Sequence, residues 1–411
     1  MSNKFRIAVR KFGPFETATE KIWKSFCKET GCTLELEAIP MDLHPLYEAT
    51  LGQENGLVNG DWDVTHINTD WITEANEKEA LEDLVPYINS QKPEGFPEGW
   101  SDALLKLQEF DNRIYGLPFH DGPECLIFRK DLFNDPKEKE AFHKKFNRAL
   151  SPPKTWEELH QIARFFHRPQ ENLYGTAFAL YPDGHNTVFD FSLQLWARAG
   201  TLLDAEGKVD INTPQALEGL EFYRKILKDE TAVHPKCKEF DSVQAGMAFA
   251  NGEIAMMVNW FGFASMCEVL PDSKVKGKVD ITTIPAGSKG KGKSLSVYWV
   301  YGIGKGSKNK SLAYDFIRFA TNVENDKLLT LTGGIGCRNS TWYDKEVNET
   351  VPYYHKLDEL HKNVGTLPQK GNWNDIAKII DEMVTELILT DREISEIVGE
   401  AQRKIDKIEH T

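Results

Sequence analysis

No apolar run of about eighteen residues occurs in the chain, so no part of it can cross a bilayer as a helix. Positive charge is in short supply as well. With 49 Lys and Arg against 63 Asp and Glu the net charge is −14, which repels phosphate backbones and anionic headgroups and disfavours nucleic-acid or membrane-surface partners. Cysteine is scarce: Cys27, Cys32, Cys125, Cys237, Cys267 and Cys337 form no CxxC and no metal-ligand spacing. Most sit in apolar contexts and read as small buried residues. A chain of 411 residues does not need disulfides, so cysteine count leaves the compartment open. No internal repeat occurs, and no low-complexity stretch beyond Gly287–Lys293.

Enzyme motifs are missing too. There is no HExxH, no GxSxG and no Cys–His pair in a recognisable local context. Asp183, His185 and Asp190 lie close enough in sequence to ligate a metal, but they read better as loop and cap residues, so neither metal nor cofactor is expected. Paired carboxylates for glycoside hydrolysis need no motif and stay open. One motif matches and is rejected. Gly287 to Ser294 fits GxxxxGK[ST], but a phosphate-cradling loop needs a helix directly after it. Here Ser296–Ile303, rich in β-branched and aromatic residues, follows as a strand. The expectation is a mobile basic hairpin between two strands.

What is present is length, aromatics and alternation. The length predicts two or three lobes with sizeable cores. Ten Trp, twelve Tyr and 23 Phe fill those cores and leave some rings for loops, where they can stack on a ligand. Phe5, Ile7 and Val9 alternate as a strand; Phe15, Thr19, Ile22 and Phe26 recur at helical spacing until Gly31 stops them. A strand over Leu34–Ala38, a helix from Leu43 and a strand near Asp63–Ile67 follow. This repetition predicts a mostly parallel, helix-covered sheet with ligand loops at the carboxyl ends of its strands. The loops Arg10–Pro14 and Asn68–Trp71 qualify. Further on, Thr155 and Glu158 read as a capping box, Thr213 and Pro214 open another helix, and Thr390 to Glu393 reads as a second capping box. Two amphipathic helices close the chain, one carrying Ile376, Ile380 and Leu387, the other Ile397, Val398 and Ile405.

The stretch Asn112–Phe133 organises the rest. Its apolar runs Ile114–Phe119 and Leu126–Phe128 flank His120-Asp121-Gly122-Pro123-Glu124, which suits either a crossing between lobes or a loop within one sheet. Gly116-Leu117-Pro118, a polar gap, then Leu126 to Phe133 (LIFRKDLF) resembles a motif of the family 1 extracellular solute-binding proteins, the maltose-binding-protein-like receptors of sugar ABC importers. Matches continue in order: DVTHINTDWITEA, PKTWEEL, GKVDINTPQALEGLEFY, GMAFANGEIAMMVNWFGFAS, and SVYWVYGIGKGSKNK with its following helix. The closing helices are similar to those of maltose-binding protein.

The resemblance implies an α/β, two-lobed periplasmic-binding-protein type II fold with a hinge. The N-terminal lobe is expected over 1–120 plus 278–325, and the C-terminal lobe over 121–277 plus 326–411. It implies a non-enzymatic, monomeric substrate-binding protein that captures a small carbohydrate by hinge closure and delivers it to ABC importer permease subunits. The ligand-contacting residues it points to are Lys11, Asp70 and Trp71; His120, Asp121 and Glu124 at the crossing; and Tyr181 and Asp183. Asn259, Trp260 and Phe263 follow in what reads as a loop, then Tyr298, Trp299, Arg338 and Trp373. Flat rings for C–H faces and carboxylate, amide and guanidinium groups for hydroxyls are what a sugar needs. The chain departs from the family pattern at Trp260 to Phe263, at Tyr298-Trp299 and at Gly336-Cys337-Arg338, and the bulkier residues argue against a long oligosaccharide. Lys11 and Arg338 leave room for an acidic sugar such as a uronate. A secreted receptor needs a leader, which Met1-Ser2-Asn3-Lys4 does not supply; a removed leader and a periplasmic or extracellular-lipoprotein location are expected. The alternatives are a carbohydrate-active enzyme with paired carboxylates and a cytosolic sugar sensor.

Overall fold

The computed structural model describes residues 3–409, so the start at Met1 and Ser2 lies outside the described residues. The chain divides into two compact units. The first holds the chain through Gly122, Val297–His355 and Gln369–Gly371; the second holds Pro123–Ser296, Lys356–Pro368 and the chain from Asn372 on.

The first unit is built on a five-stranded sheet in the order Glu35–Met41, Lys4–Arg10, Val64–Asn68, Trp299–Ile303, Leu117–His120. Lys4–Arg10 pairs in parallel with both of its neighbours, Ile7 standing opposite Ala38 on one side and Val64 on the other. Trp299–Ile303 is antiparallel to both of its neighbours. Alternation in the first strand puts Phe5, Ile7 and Val9 into the core with Phe15, Ile22 and Phe26 of the helix Gly13–Thr30. Rings stack through this core, Phe5 on Trp23 at 4.8 Å and Phe119 on Tyr301 at 4.1 Å. Gly31, at φ 73°, ends the helix as its spacing predicts.

The second unit carries a three-stranded antiparallel sheet, Met256–Trp260, Glu124–Arg129, Val279–Thr282, with Glu124 opposite Trp260 and Ile127 opposite Ile281. Ile127 and Phe128 are buried there with Met256, Met257 and Ile281. Thus the two apolar runs of Asn112–Phe133 enter different sheets, and the units change between Gly122 and Pro123. Gly122 sits at φ 129°, a backbone conformation open to glycine and strained for other residues.

Several elements differ from the sequence reading. Val279–Thr282 pairs with Glu124–Arg129, so 278–296 packs with the second unit. The segment 326–355 falls in the first unit, where Asp121 N–H donates to the Ile335 carbonyl at 2.9 Å. The Gly-Lys stretch is not a hairpin: the strands on either side, Val279–Thr282 and Ser294–Leu295, join different sheets, and Gly287 and Gly290 N–H groups both donate to the Ala197 carbonyl.

Capping follows the pattern in part. Thr155 accepts from Glu158 N–H at 3.1 Å, but the Glu158 carboxylate takes the N–H of Lys154, one residue short of a reciprocal box. Thr390 ends the preceding helix, its hydroxyl donating to the Glu386 carbonyl at 2.9 Å, so it does not open the last one. A full capping box forms instead at Asp241 and Gln244.

Candidate functional site

In the first unit, Lys4–Arg10, Val64–Asn68 and Leu117–His120 run in one direction and Trp299–Ile303 runs against them. With Glu35–Met41, which is parallel to Lys4–Arg10, four carboxyl ends and one amino end therefore share an edge, where Lys11, Asp70, Trp71, His120, Asp121, Tyr298 and Trp299 are brought together. Trp299 stands opposite both Asn68 and His120, with a bulge before Val300 that ends regular pairing at this edge. Tyr298 and Thr69 exchange two hydrogen bonds, Thr69 N–H to the Tyr298 carbonyl at 3.0 Å and Tyr298 N–H to Thr69 Oγ1 at 3.1 Å.

The residues of this edge divide by burial. Trp71 is buried, edge-on to Tyr47 at 5.5 Å and to Trp299 at 5.9 Å, and so buttresses the half-buried Trp299. Tyr298 is enclosed, its hydroxyl donating to Gln108 Oε1 at 2.7 Å and accepting from Leu107 N–H at 3.2 Å. His120 Nδ1 accepts from Ile335 N–H at 2.9 Å, and burial pulls its imidazole down to about 4, against the opposing pull of Asp121. Behind it, His66 lies among Phe15, Phe119 and Tyr301, and burial pulls it down to about 3. Asp121 is buried; Asp70 is half-buried, its N–H donating to Asn68 Oδ1 at 3.2 Å. Lys11 is exposed and pairs with Asp42 at 3.4 Å. Arg338 is buried, its guanidinium 4.1 Å from the Trp100 ring centroid.

In the second unit Glu124 and Trp260 are paired at one end of the sheet. The half-buried Trp260 ring meets Phe189 edge-on at 5.5 Å, and Phe189 meets His185 at 5.9 Å, which brings the start of the helix Asn186–Trp196 to the same end. One position on, Asp190 is buried and accepts from the Tyr223 hydroxyl at 2.5 Å. Burial pushes Asp190 up to about 7, the Tyr223 bond opposing. Glu124, also buried, is held well above the usual carboxylate range by burial and then by Asp190; its Oε2 has no hydrogen-bond partner among the described residues. A carboxyl group so placed accepts from, or donates to, whatever enters beside it.

Asp183 is a loop organiser, accepting from His185 N–H at 2.9 Å and Asn186 N–H at 3.2 Å. Among the described residues no group of three His, Cys, Asp or Glu side chains is arranged to hold a metal. Asn259 is spent internally, donating to the Ser242 carbonyl at 3.0 Å and accepting from Trp260 N–H at 2.8 Å. Asn259 and Trp260 lie on a strand and Phe263 on the helix Phe261–Val269, not in a loop. Phe263 is buried against Gly246, where a Cβ would come within 2.5 Å of its ring. Trp373 is buried at the first turn of Trp373–Leu389. Tyr181 is 53% exposed, tied by its N–H to the Phe240 carbonyl.

Four residues at this end are not among the ligand contacts that the sequence points to: Asp190, Tyr223, Thr187 and Asp381. Thr187 donates to Asp381 at 2.5 Å, and Gly184 N–H donates to the same carboxylate at 3.2 Å. The signal that could have found Asp381 is a carboxylate among the apolar positions Ile380, Met383 and Val384.

The model of the family described as "Bacterial extracellular solute-binding protein" matches residues 12–327. A Deinococcus radiodurans protein named "Probable ABC transporter-binding protein" is 24% identical over 351 residues, 84% of this chain and 78% of its own. The maltotriose-binding protein of Pyrococcus abyssi is 22% identical over 336 residues, 77% of this chain and 64% of its own. Among solved structures, maltose-bound T. maritima MalE3 superposes with a TM-score of 0.85 at 22% identity, covering 98% of this chain and 99% of that one. An ABC transporter solute-binding protein from Agrobacterium radiobacter K84 in complex with ribitol gives 0.86 at 23%, covering 98% of both. The fold is that of the two-lobed periplasmic binding proteins. With three quarters of its length matched, the chain belongs to the family of bacterial extracellular solute-binding proteins.

Proposed function

We propose that this chain is the substrate-binding receptor of an ABC importer and that its ligand is a small, uncharged carbohydrate or polyol, captured reversibly and handed unchanged to permease subunits. The observation that carries the reading is a recurrent arrangement: a half-buried indole at a sheet end whose facing strands carry or lead into carboxyl residues, Trp299 opposite Asn68 and His120, just before Asp70 and Asp121, in one unit, and Trp260 opposite Glu124, on which Asp190 acts, in the other. Rings accept the C–H faces of a sugar, and carboxyl groups its hydroxyls. Relatives named for maltotriose and diacetylchitobiose, and similar structures holding maltose, ribitol and D-mannitol, support it. Hinge closure is the mechanism we propose for capture. We place the protein outside the cytoplasm, as a monomer.

Charge favours a neutral ligand over a uronate. Burial favours the uncharged forms of Glu124 and Asp190, which suits a ligand made of hydroxyls, while the Arg338 guanidinium is laid on the Trp100 ring. The same carboxyl pair is the observation that favours an enzyme acting on carbohydrate. A thermal-shift screen of neutral, amino and acidic mono- and disaccharides, followed by chromatography of the recovered ligand, tests both readings. At a hundred-fold excess over Kd a receptor gains about 2.7 kcal/mol of stability and returns its ligand intact. Cleaved products would sink the receptor reading, and a flat screen would sink the carbohydrate.

A further inference from the structure

The helix Gly13–Thr30 ends at Gly31, whose φ of 73° and ψ of 16° turn the chain back, with its N–H donating to the Cys27 carbonyl at 2.9 Å. An ending of this kind brings the residue after the glycine over the last full turn of the helix. Here both of those positions are cysteine. Both residues pack, half-buried, against the apolar core of the first unit, and they are near enough that Cys32, after burial itself, helps to push the Cys27 thiol up. Cys32 is pinned by its N–H to the Thr30 hydroxyl at 3.3 Å. The other four cysteines are enclosed: Cys125, Cys267 and Cys337 are fully buried and Cys237 nearly so, and burial pushes each thiol up. Enclosed in this way, those four are out of reach of an oxidant, whereas Cys27 and Cys32 are half-buried.

We propose that Cys27 and Cys32 are a modification site: in the oxidising surroundings of an extracellular protein they close to a disulfide that fastens the end of Gly13–Thr30 to the entry of the edge strand Glu35–Met41. The oxidant is a small-molecule or protein disulfide. One cysteine thiolate attacks it, forming a mixed disulfide and releasing one donor thiol. The second thiolate then attacks the first cysteine's sulfur, forming the Cys27–Cys32 bond and releasing the other donor thiol. The pair gives up two electrons and two protons, and the donor takes them. The inference stands apart from the identity of the ligand.

The test equilibrates the folded chain with oxidised glutathione, blocks remaining thiols by alkylation under denaturing conditions, and reads intact mass and tryptic peptides. Because Lys28 lies between the two cysteines, cleavage leaves Ser25–Lys28 joined to the peptide that begins at Glu29 only if the bond has formed. The expected result is that joined pair, four alkylated cysteines, and melting about 2–5 °C above the reduced protein. Cys27→Ser and Cys32→Ser, at half-buried positions that accept a hydroxyl, each abolish the joined peptide. Alkyl label on both cysteines after oxidation, or a glutathione adduct that does not close, overturns the proposal.

Discussion

The two units each bury titratable groups at the sheet end that carries candidate ligand residues, but of opposite kinds. The first encloses imidazoles: burial pulls His120 down to about 4 and His66 to about 3. The second encloses carboxyl groups: burial pushes Asp190 up to about 7 and Glu124 well above its usual range. In both cases the folded chain holds these groups neutral, because a low-dielectric surround penalises the charged form. These four groups thus offer polar atoms that favour the uncharged form, which suits a ligand made of hydroxyls. The same choice gives the two units opposite responses to pH.

The largest expected effect is on the acid side. An unfolded imidazole binds its proton near pH 6.5, whereas folded His66 does so only near 3, so between those values the unfolded chain holds more protons and stability falls as pH falls. Over the full window this is on the order of 5 kcal/mol for His66. His66→Phe, a ring placed among rings, should flatten the dependence of urea-unfolding free energy on pH between 6.5 and 4. An unchanged slope would remove the imidazoles from the comparison. Asp190 works in reverse. An unfolded aspartate loses its proton near 3.9 and folded Asp190 near 7, so stability is full below the lower value and is lost as pH rises to the upper. Asp190→Asn should recover on the order of 4 kcal/mol of that loss, less whatever the Tyr223 hydrogen bond contributes. The readout is the difference between unfolding free energies at pH 4 and pH 7.5.

What the sequence could foretell follows from the range of the forces involved. Local patterning placed Lys4–Arg10, Gly13–Thr30 and Val64–Asn68, since alternation, helical spacing and a stop glycine are written in neighbouring residues. It also places Lys11, Asp70 and Trp71 together at one edge, because they follow neighbouring parallel strands. It could not see that Trp71 is buried behind Trp299 or that Arg338 is laid on Trp100, because both depend on contacts between segments distant in the chain. The departure at 278–296 has the same origin: nothing local says that Val279 will pair with Arg129. Asp190 was visible as a possible ligand to a metal, but its significance comes from Tyr223, 33 residues away.

A smaller effect asks whether both edges serve the ligand. Trp299 and Trp260 are half-buried, so truncation removes a ring face rather than a core, whereas Trp71 is enclosed and Trp71→Ala should cost about 3–5 kcal/mol of stability with affinity a secondary matter. Trp299→Ala and Trp260→Ala should each lower affinity about ten-fold, the loss of roughly 1.4 kcal/mol of ring contact, with melting temperature of the ligand-free protein little changed. Calorimetric titration with the best sugar from the thermal-shift screen separates the cases. Equal losses at the two positions mean that each unit lends a ring to the same guest. A loss at Trp260 alone would assign recognition to the carboxyl-rich edge and leave the imidazole-rich edge a scaffold, since a ring that never touches the ligand can be removed without cost to binding.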